Sequence, residues 1–268
     1  MAKAIVTPLL ERGEYDPRNV LGIVGSSSSI AIALNDLPKG VKVVSSEDSS
    51  SKEVWKAPMK ILAVKPQQFN KIRESFSSFQ SKDHFPKSLL ISVLAGVTLK
   101  SLKMAFPEHT CVRAVPNTPS LVGKGLTGLA WDDDITLDQK KVVRKIFEPI
   151  SEIYELEEQK LDSFLALTSS GPAYLALVVE AMADGAVAAG LPRYLSNQLA
   201  HKTLLGTASL LGEKGLHPAE LKDMVASPAG TTISALRHLE LAGLRSALIE
   251  AVVLAAQKSR QLAEEVSS

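Results

Sequence analysis

The sequence predicts an α/β domain built on a parallel sheet, followed by an all-helical domain. Over residues 1–157, short β-type apolar runs alternate with helical segments, and each run ends at a small or turn-forming residue. From Glu157 onward the pattern becomes almost wholly helical. We therefore assign residues 1–157 to the sheet domain and residues 158–268 to the helical domain.

Composition narrows the class of protein. The chain has 268 residues, of which 45% are hydrophobic and 22% are charged, which is typical of a soluble globular protein with room for two domains. The formal net charge of +1 gives no electrostatic reason to expect nucleic acid or an anionic membrane as a partner. No apolar run reaches the roughly 18 residues of a spanning helix, and the first residues show no signal-peptide pattern. We expect a cytoplasmic protein.

The sequence gives little support for a disulfide or a metal site. Cys111 is the single cysteine, so an internal disulfide framework is excluded, and we expect it to be a small buried residue on a strand. Glu180 and Asp184 lie four residues apart on an otherwise apolar helix, which could suggest metal ligands. Because no histidine or further acid accompanies them, we predict no metal.

The elements of the first domain follow from local patterns. A helix is predicted over Met1–Glu11, where good helix formers place apolar residues on one face and Gly13 makes a stop. The β-type runs predict strands at Val20–Val24, Val41–Val44, Ile61–Val64, Leu89–Leu94, Thr110–Val115 and Ile153–Leu156. Further helices are predicted at Ser45–Trp55, Gln67–Phe76 and Asp138–Phe147.

Four turns stand at the ends of these strands. They are Gly25–Ser29, Val64–Pro66, Ala95–Gly96 and Pro116–Thr118. In parallel sheets, ligands bind at the carboxyl ends of the strands, near the point where the strand order reverses. Any one of these stretches could be a plain turn, but four in succession favour a dinucleotide cleft.

The second domain is punctuated by glycine and proline. Helices are predicted at Pro172–Gly190, Tyr194–Leu211, Ala219–Val225, Ile233–Leu241 and Leu244–Val266. Within Leu221–Thr232, Pro228 and Gly230 stop one helix and allow a tight turn into the next. Hydroxyls beside a helix N-terminus make a pocket for a small anion such as a carboxylate, although a simple Ser/Thr cap after a turn fits the same pattern.

Four motifs of the second half, in this order, resemble those of pyrroline-5-carboxylate reductase. They stand at Ser169–Tyr174, Glu180–Arg193, His217–Thr232 and Ala251–Leu262. The resemblance implies a Rossmann-like domain followed by an all-α dimerisation domain. It also implies hydride transfer from NADPH to the C=N carbon of 1-pyrroline-5-carboxylate, which yields L-proline in the last step of proline biosynthesis.

The resemblance assigns roles to particular positions. Thr232 matches the family's proton-donor threonine, and we interpret its role as hydrogen bonding to the imine nitrogen. Substrate contacts are expected at Ser227, Gly230, Thr231 and Thr232. Cofactor contacts are expected at Ser26, Ser27, Val64, Lys65, Pro66, Ala95, Gly96 and Asn117. No acid occurs between Val20 and Leu34 to hold a ribose 2′-hydroxyl, which favours NADPH, with NADH possible.

The chain departs from the family pattern in two places. The family begins with a central β-strand and a glycine-rich loop, whereas Met1–Ala2 here match only the end of that loop. Either the native start lies upstream of Met1, which we favour, or the chain is a damaged reductase without that strand. We expect its loss to leave neighbouring strands with unpaired edges. Position 229 is alanine where the family usually has glycine, and a Cβ is costly there if the backbone needs a positive φ.

Apolar, alanine-rich helices suggest self-association. The helical half carries more apolar surface than one subunit is expected to hide, which agrees with the family's interlaced dimers, and we predict a homodimer or a ring of dimers.

Two alternatives to this function remain. One is a related imine or 2-hydroxyacid reductase, although Ser169–Tyr174 lacks the lysine of the β-hydroxyacid type. The other is a catalytically silent dimerisation protein that has lost its cofactor loop.

Overall fold

A computed structural model describes residues 1–35, 37–79 and 88–267. The chain forms two compact units. The first, the α/β unit, comprises Met1–Ser169 and Ala255–Ser268, and the second, the helical unit, comprises Ser170–Leu254. The domain boundary between residues 157 and 158 remains a prediction from the sequence. In the structure, the first helix after that boundary belongs to the compact α/β unit, which extends to Ser169.

Two groups of strands form the α/β unit. The strands are β1 (Leu21–Val24), β2 (Lys42–Ser45), β3 (Met59–Leu62), β4 (Ser88–Ser92), β5 (His109–Pro116), β6 (Gly125–Trp131) and β7 (Ser151–Glu155). β1 and β2 form a parallel pair, and the remaining five form a second sheet in chain order. In the second sheet, β3, β4 and β5 are parallel neighbours. The alternation of strands and helices therefore predicted the parallel core of this unit correctly.

The sheet is divided between β1 and β3. Among the described strands, β1 pairs only with β2, and β3 pairs only with β4. Each of the two strands therefore keeps one edge whose N–H and C=O groups have no strand partner. The unpaired strand edges predicted from the sequence are therefore present.

Strand β6 was not predicted, and it runs antiparallel to β5. The connection from β5 to β6, residues 117–124, is too short for the crossover that a parallel pair needs. Glycines at both ends of GLTG lower the β propensity of the segment, which hides the strand in the sequence. Gly128 is required by packing, because a Cβ there would lie 2.8 Å from Cδ1 of Phe164.

Helices cover both faces of the larger sheet. The helices of this unit are α1 (Ala2–Glu11), α2 (Ser28–Leu34), α3 (Phe69–Phe79), α4 (Leu99–Ala105), α5 (Leu137–Phe147) and α6 (Leu161–Thr168). α1 and α5 pack on one face around Ile91 and Val112, and α3 and α4 pack on the other around Leu90 and Cys111. α6 packs against β6. Two buried layers thus hold the carboxyl ends of β3, β4 and β5 in place.

The helical unit consists of four helices and part of a fifth. They are α7 (Gly171–Ala188), α8 (Arg193–Lys214), α9 (Pro218–Val225), α10 (Thr231–Leu241) and α11 (Leu244–Ser267), the last of which continues into the α/β unit from Ala255. α7 and α8 pack along one another. The five helices predicted from the sequence are all present, with ends that move by up to three residues.

Two predicted elements differ from the structure. The strand predicted at Ile61–Val64 begins and ends two residues earlier, as β3, so Val64 lies in the following turn. The helix predicted at Ser45–Trp55 is a 3-10 helix over Ser49–Lys56, begun by the Asp48 carboxylate, which accepts the Ser50 N–H at 2.8 Å. Local serines and an aspartate favour such tight turns over an α-helix.

By length and composition, one stretch of the described residues could span a membrane. It is Glu158–Ala188, which includes a short 3-10 helix, α6 and α7. The core helices of many proteins that never enter a membrane have the same composition, so the stretch is weak evidence. The absence of a membrane partner remains a prediction.

Candidate functional site

Three of the predicted cofactor turns lie along one edge of the sheet. Because β3, β4 and β5 are parallel neighbours, their carboxyl ends meet at the same edge. Val64–Pro66 follows β3, Ala95–Gly96 follows β4, and Asn117 follows β5. The structure therefore brings together residues that lie up to 53 positions apart in the chain.

The first of these turns is open to solvent. Val64 and Lys65 are both exposed, and Pro66 begins a short 3-10 helix that leads into α3. Lys65 is extended, with φ −72° and ψ 142°, as expected for a residue before proline. A cation at this edge suits the phosphates or ribose of a dinucleotide.

The second turn depends on a glycine conformation. Gly96 has a φ of +73°, a left-handed conformation that favours glycine, and it directs the chain from β4 towards α4. Gly96 is buried, whereas Ala95 is exposed. A small exposed residue at position 95 suits a site where a ligand lies against the backbone.

The third turn is a structural junction. The side-chain N–H of Asn117 donates to the Thr168 carbonyl at 2.9 Å, and its Oδ1 accepts the Leu126 N–H at 2.8 Å. The Ser169 hydroxyl also lies 3.4 Å from the Pro116 carbonyl, which it can use as an acceptor. The Asn117 amide is buried and mostly used within the protein. Its predicted cofactor contact remains a prediction, and the observed bonds show a positioning role.

The fourth predicted turn follows β1, in the smaller sheet. The Ser26 hydroxyl lies 2.9 Å from the Ser28 hydroxyl and 3.1 Å from the Ser29 hydroxyl. Gly25 is exposed, and its carbonyl accepts the Ser46 hydroxyl at 3.3 Å. Neutral hydroxyls in a segment without an acid between Val20 and Leu34 suit a phosphate better than a ribose diol, as an NADPH 2′-phosphate requires.

The residues predicted to bind the substrate lie at a turn within the helical unit. The Gly230 N–H donates to the Ser227 carbonyl at 3.0 Å, which closes the Ser-Pro-Ala-Gly turn. Ala229 has a φ of +55°, the single positive φ among the described non-glycine residues. The cost that the sequence suggested for a Cβ at this position is therefore present.

Helix α10 begins at this turn. Gly230 is its N-cap, and Thr231 and Thr232 are its first two residues, so the helix begins two residues earlier than predicted. Since no side chain caps this helix, its first N–H groups are available to a ligand together with the hydroxyls of Ser227 and the two threonines. The arrangement suits a small carboxylate.

Two residues that could be mistaken for catalytic groups are structural. Nδ1 of His217 accepts the Ala219 N–H at 3.2 Å, and Glu220 accepts the His217 N–H at 2.9 Å, which forms a capping box for α9. Burial raises the pKa of the Cys111 thiol to about 12, so this cysteine is not a nucleophile. The sequence prediction that Cys111 is a small buried residue on a strand is confirmed.

One buried cluster was missed. Arg113 lies inside β5 with 1% of its surface exposed and pairs with Glu158 and Asp162. An arginine within the apolar run HTCVRAVP was the available signal, because a buried cation needs a partner. The partners could not be found without the fold.

A parallel sheet with open turns at its carboxyl edge, joined to a helical unit with an uncapped helix N-terminus at a Ser-Pro-Ala-Gly turn, is typical of a dinucleotide-dependent oxidoreductase. The pyrroline-5-carboxylate reductase of Synechocystis sp. is 40% identical over 267 residues, which cover 99% of this chain and 96% of that protein. The chain belongs to the pyrroline-5-carboxylate reductase family.

Further comparisons agree. A family model described as pyrroline-5-carboxylate reductase dimerisation matches residues 158–262. The Escherichia coli pyrroline-5-carboxylate reductase is 36% identical, with 98% of this chain and 95% of that protein covered. The crystal structure of Plasmodium falciparum pyrroline carboxylate reductase with NADP bound has a TM-score of 0.83 and 26% identity, and covers 97% of this chain and 93% of its own.

Proposed function

We propose that the chain reduces 1-pyrroline-5-carboxylate to L-proline with NADPH as the hydride donor. The observation that carries the proposal is the alignment of Val64–Pro66, Ala95–Gly96 and Asn117 along one edge of parallel strands. A relative with the same fold binds NADP, which supports a dinucleotide at this edge. When bound, NADPH supplies the hydride, and the protein supplies binding, orientation and protonation.

The residues of the Ser227–Thr232 turn hold the substrate. The N–H groups at the start of α10 and the hydroxyls of Ser227 and Thr231 bind the carboxylate, and Thr232 donates a hydrogen bond to the imine nitrogen. A threonine hydroxyl is a weak acid, so its part is to orient the ring and to relay a proton. Positioning of this kind contributes on the order of 7–11 kcal/mol to catalysis.

The serine-rich turn after β1 sets the cofactor preference. Ser26 and Ser27 offer hydroxyls, and the absence of an acid between Val20 and Leu34 removes the group that usually binds the 2′-hydroxyl of NADH. NADPH is the preferred donor, and NADH is used more weakly.

The chain works as a homodimer. The matching family model is one for dimerisation, and helices of the helical unit expose large apolar side chains, among them Leu177 at 66% and Leu205 at 61%. Contiguous exposed apolar surface marks a protein interface. A larger ring of dimers would show as a multiple of the dimer mass. We expect the assembly in the cytoplasm.

The decisive experiment is NADPH oxidation with 1-pyrroline-5-carboxylate, on two proteins. One is this chain, and the other carries the first strand and glycine-rich loop of the Synechocystis relative fused before Met1. The unpaired edges of β1 and β3 give the added strand a place in the sheet. Activity in either protein supports the reductase, and activity in the extended one alone shows that the central strand is needed.

Inactivity of both proteins, with far-UV circular dichroism showing that both are folded, would overturn the reductase and leave the silent dimerisation protein. A parallel assay with the six-membered imine piperideine carboxylate tests the related-reductase alternative. A higher kcat/KM for the larger ring would replace the proposed substrate and keep the reaction class.

A further inference from the structure

Arg113 is the centre of a buried ionic cluster in the α/β unit. Its Nη1 lies 3.3 Å from Oε1 of Glu158, and its Nη2 lies 3.4 Å from Oδ1 of Asp162. Only 1% of the arginine is exposed, so the two carboxylates, rather than solvent, balance its positive charge. The guanidinium thereby fixes the positions of two acids that precede and begin α6.

Glu158 extends the cluster to the loop after β4. The same Oε1 that pairs with Arg113 accepts the backbone N–H of Leu99 at 2.7 Å. Leu99 is the first residue of α4, and Thr98 caps the same helix by accepting the Ser101 N–H. Glu158 therefore holds the far end of the loop that carries Gly96.

Asp162 extends the cluster to α11. Its Oδ1 accepts the hydroxyl of Ser259 at 2.7 Å, and both residues are buried. One turn further along α11, the backbone of Leu262 and Ala263 lies against Gly96, where an added Cβ would come within 3.3 Å and 3.2 Å of Leu262 C and Ala263 N. The Ser259 hydroxyl thus fixes the helix that supports the near side of the loop.

Both arms of the cluster converge on the same turn. We propose that Ser259 is a positioning residue, which acts through Asp162 and the C-terminal part of α11 to hold the Ala95–Gly96 turn in the conformation that receives NADPH. The inference rests on the proposed function, and it predicts that cofactor affinity depends on a serine that does not contact the cofactor. Substrate affinity should not depend on it, because the residues that bind the substrate lie elsewhere.

The test uses the full chain with Ser259→Ala, measured in two ways. Hydrogen–deuterium exchange of residues 93–103 should be about threefold faster or more, because the loop loses its support on one side. The Kd for NADPH, from nucleotide fluorescence, should rise about three- to tenfold, as expected for one lost buried hydrogen bond, while the KM for 1-pyrroline-5-carboxylate stays within about twofold. Ser246→Ala, on the exposed part of the same helix, is the matched control.

A second variant tests the contact with α11 directly. Gly96→Ala adds a Cβ that displaces Leu262 and Ala263, whereas Gly123→Ala adds one at nearly the same φ, +68°, with its closest neighbour at 3.7 Å. Both variants place an alanine at a similar positive φ, so the excess effect of Gly96→Ala on the exchange of residues 93–103 reports the contact with Leu262 and Ala263.

The outcomes separate the two proposals. A parent chain and a strand-extended chain that both fail to bind NADPH would overturn the proposed cofactor. Normal NADPH binding that Ser259→Ala leaves unchanged, or changes no more than Ser246→Ala, would overturn the positioning role alone.

Discussion

Asn117 donates a hydrogen bond of 2.9 Å to the carbonyl of Thr168, 51 residues further along the chain. Because its Oδ1 also accepts the Leu126 N–H, one side chain ties together the end of β5, the start of β6 and the end of α6. The bond lies immediately before Ser170, where the helical unit begins. Asn117 thus secures the sheet edge at the point where the chain leaves it.

Replacing Asn117 by alanine should destabilise the fold. The change leaves the Leu126 N–H and the Thr168 carbonyl without their partner, and we expect a loss of roughly 2–4 kcal/mol in the free energy of unfolding. Urea denaturation measures it. Asn197→Ala, at an exposed position of α8, should change stability by less than about 0.5 kcal/mol. Equal losses in the two variants would contradict the role of the buried amide.

Replacing Ala229 by glycine should stabilise the chain. The φ of +55° at Ala229 is costly for a residue with a Cβ, and we expect a gain of about 0.5–1 kcal/mol once the gain in unfolded-state entropy is subtracted. Ala226→Gly, at a φ of −103°, should have the opposite sign, because there glycine only adds freedom to the unfolded chain. Destabilisation by both changes would show that the turn is not strained.

His109 should make the fold sensitive to acid. The residue is 5% exposed, and neither ring nitrogen has a hydrogen-bond partner among the described residues. Burial, aided by the Lys60 charge, lowers the pKa of His109 to about 4. The unfolded chain binds this proton near pH 6.5, so between pH 6.5 and pH 4 it binds more protons than the folded chain. Stability should therefore fall by roughly 2–3 kcal/mol as the pH drops through this window.

The measurement compares urea midpoints at several pH values with those of His109→Phe. The phenyl ring suits the edge-to-face contacts with Phe76 and Phe106, and the difference between the two proteins removes the contribution of the carboxylates. His201→Gln, at an exposed position, should follow the parent curve. A His109→Phe curve parallel to that of the parent would disprove the assignment.

A charge on α7 should break the dimer. Leu177 is 66% exposed in the single chain, and glutamate there would place an unpaired carboxylate in the proposed apolar interface. We expect Leu177→Glu to shift the mass seen by light scattering from dimer to monomer. Met104→Glu, at a 76% exposed apolar residue of α4, is the control and should keep the parent mass.

Removal of the Thr232 hydroxyl should reduce turnover. Thr232→Val keeps the shape of the side chain and removes the donor to the imine nitrogen, and we expect kcat to fall roughly 10²-fold with little change in the Kd for NADPH. Thr232→Ser should retain most of the activity. Thr203→Val, on an exposed face of α8, controls for the loss of a helical hydroxyl. An unchanged kcat in Thr232→Val would exclude the residue from catalysis.

Much of this architecture was predicted because its signals are local. Strands such as β4 and β5 are short apolar runs, and α10 begins where Pro228 and Gly230 demand a turn. Strand β6 was missed because Gly125 and Gly128 have poor β propensity, and they are tolerated for close packing against Ser120 and Phe164. In β6, tertiary packing outweighs the low β propensity of the two glycines.

The sequence by itself determined the alternation of strands and helices, the family motifs and the residue types expected at the site, since each depends on neighbours along the chain. Only the tertiary structure decided which distant residues meet. It paired Arg113 with Glu158 and Asp162, set α11 against Gly96, and divided the sheet between β1 and β3. A buried charge and an unpaired strand edge depend on the partners that folding supplies, and those partners lie far away in the sequence.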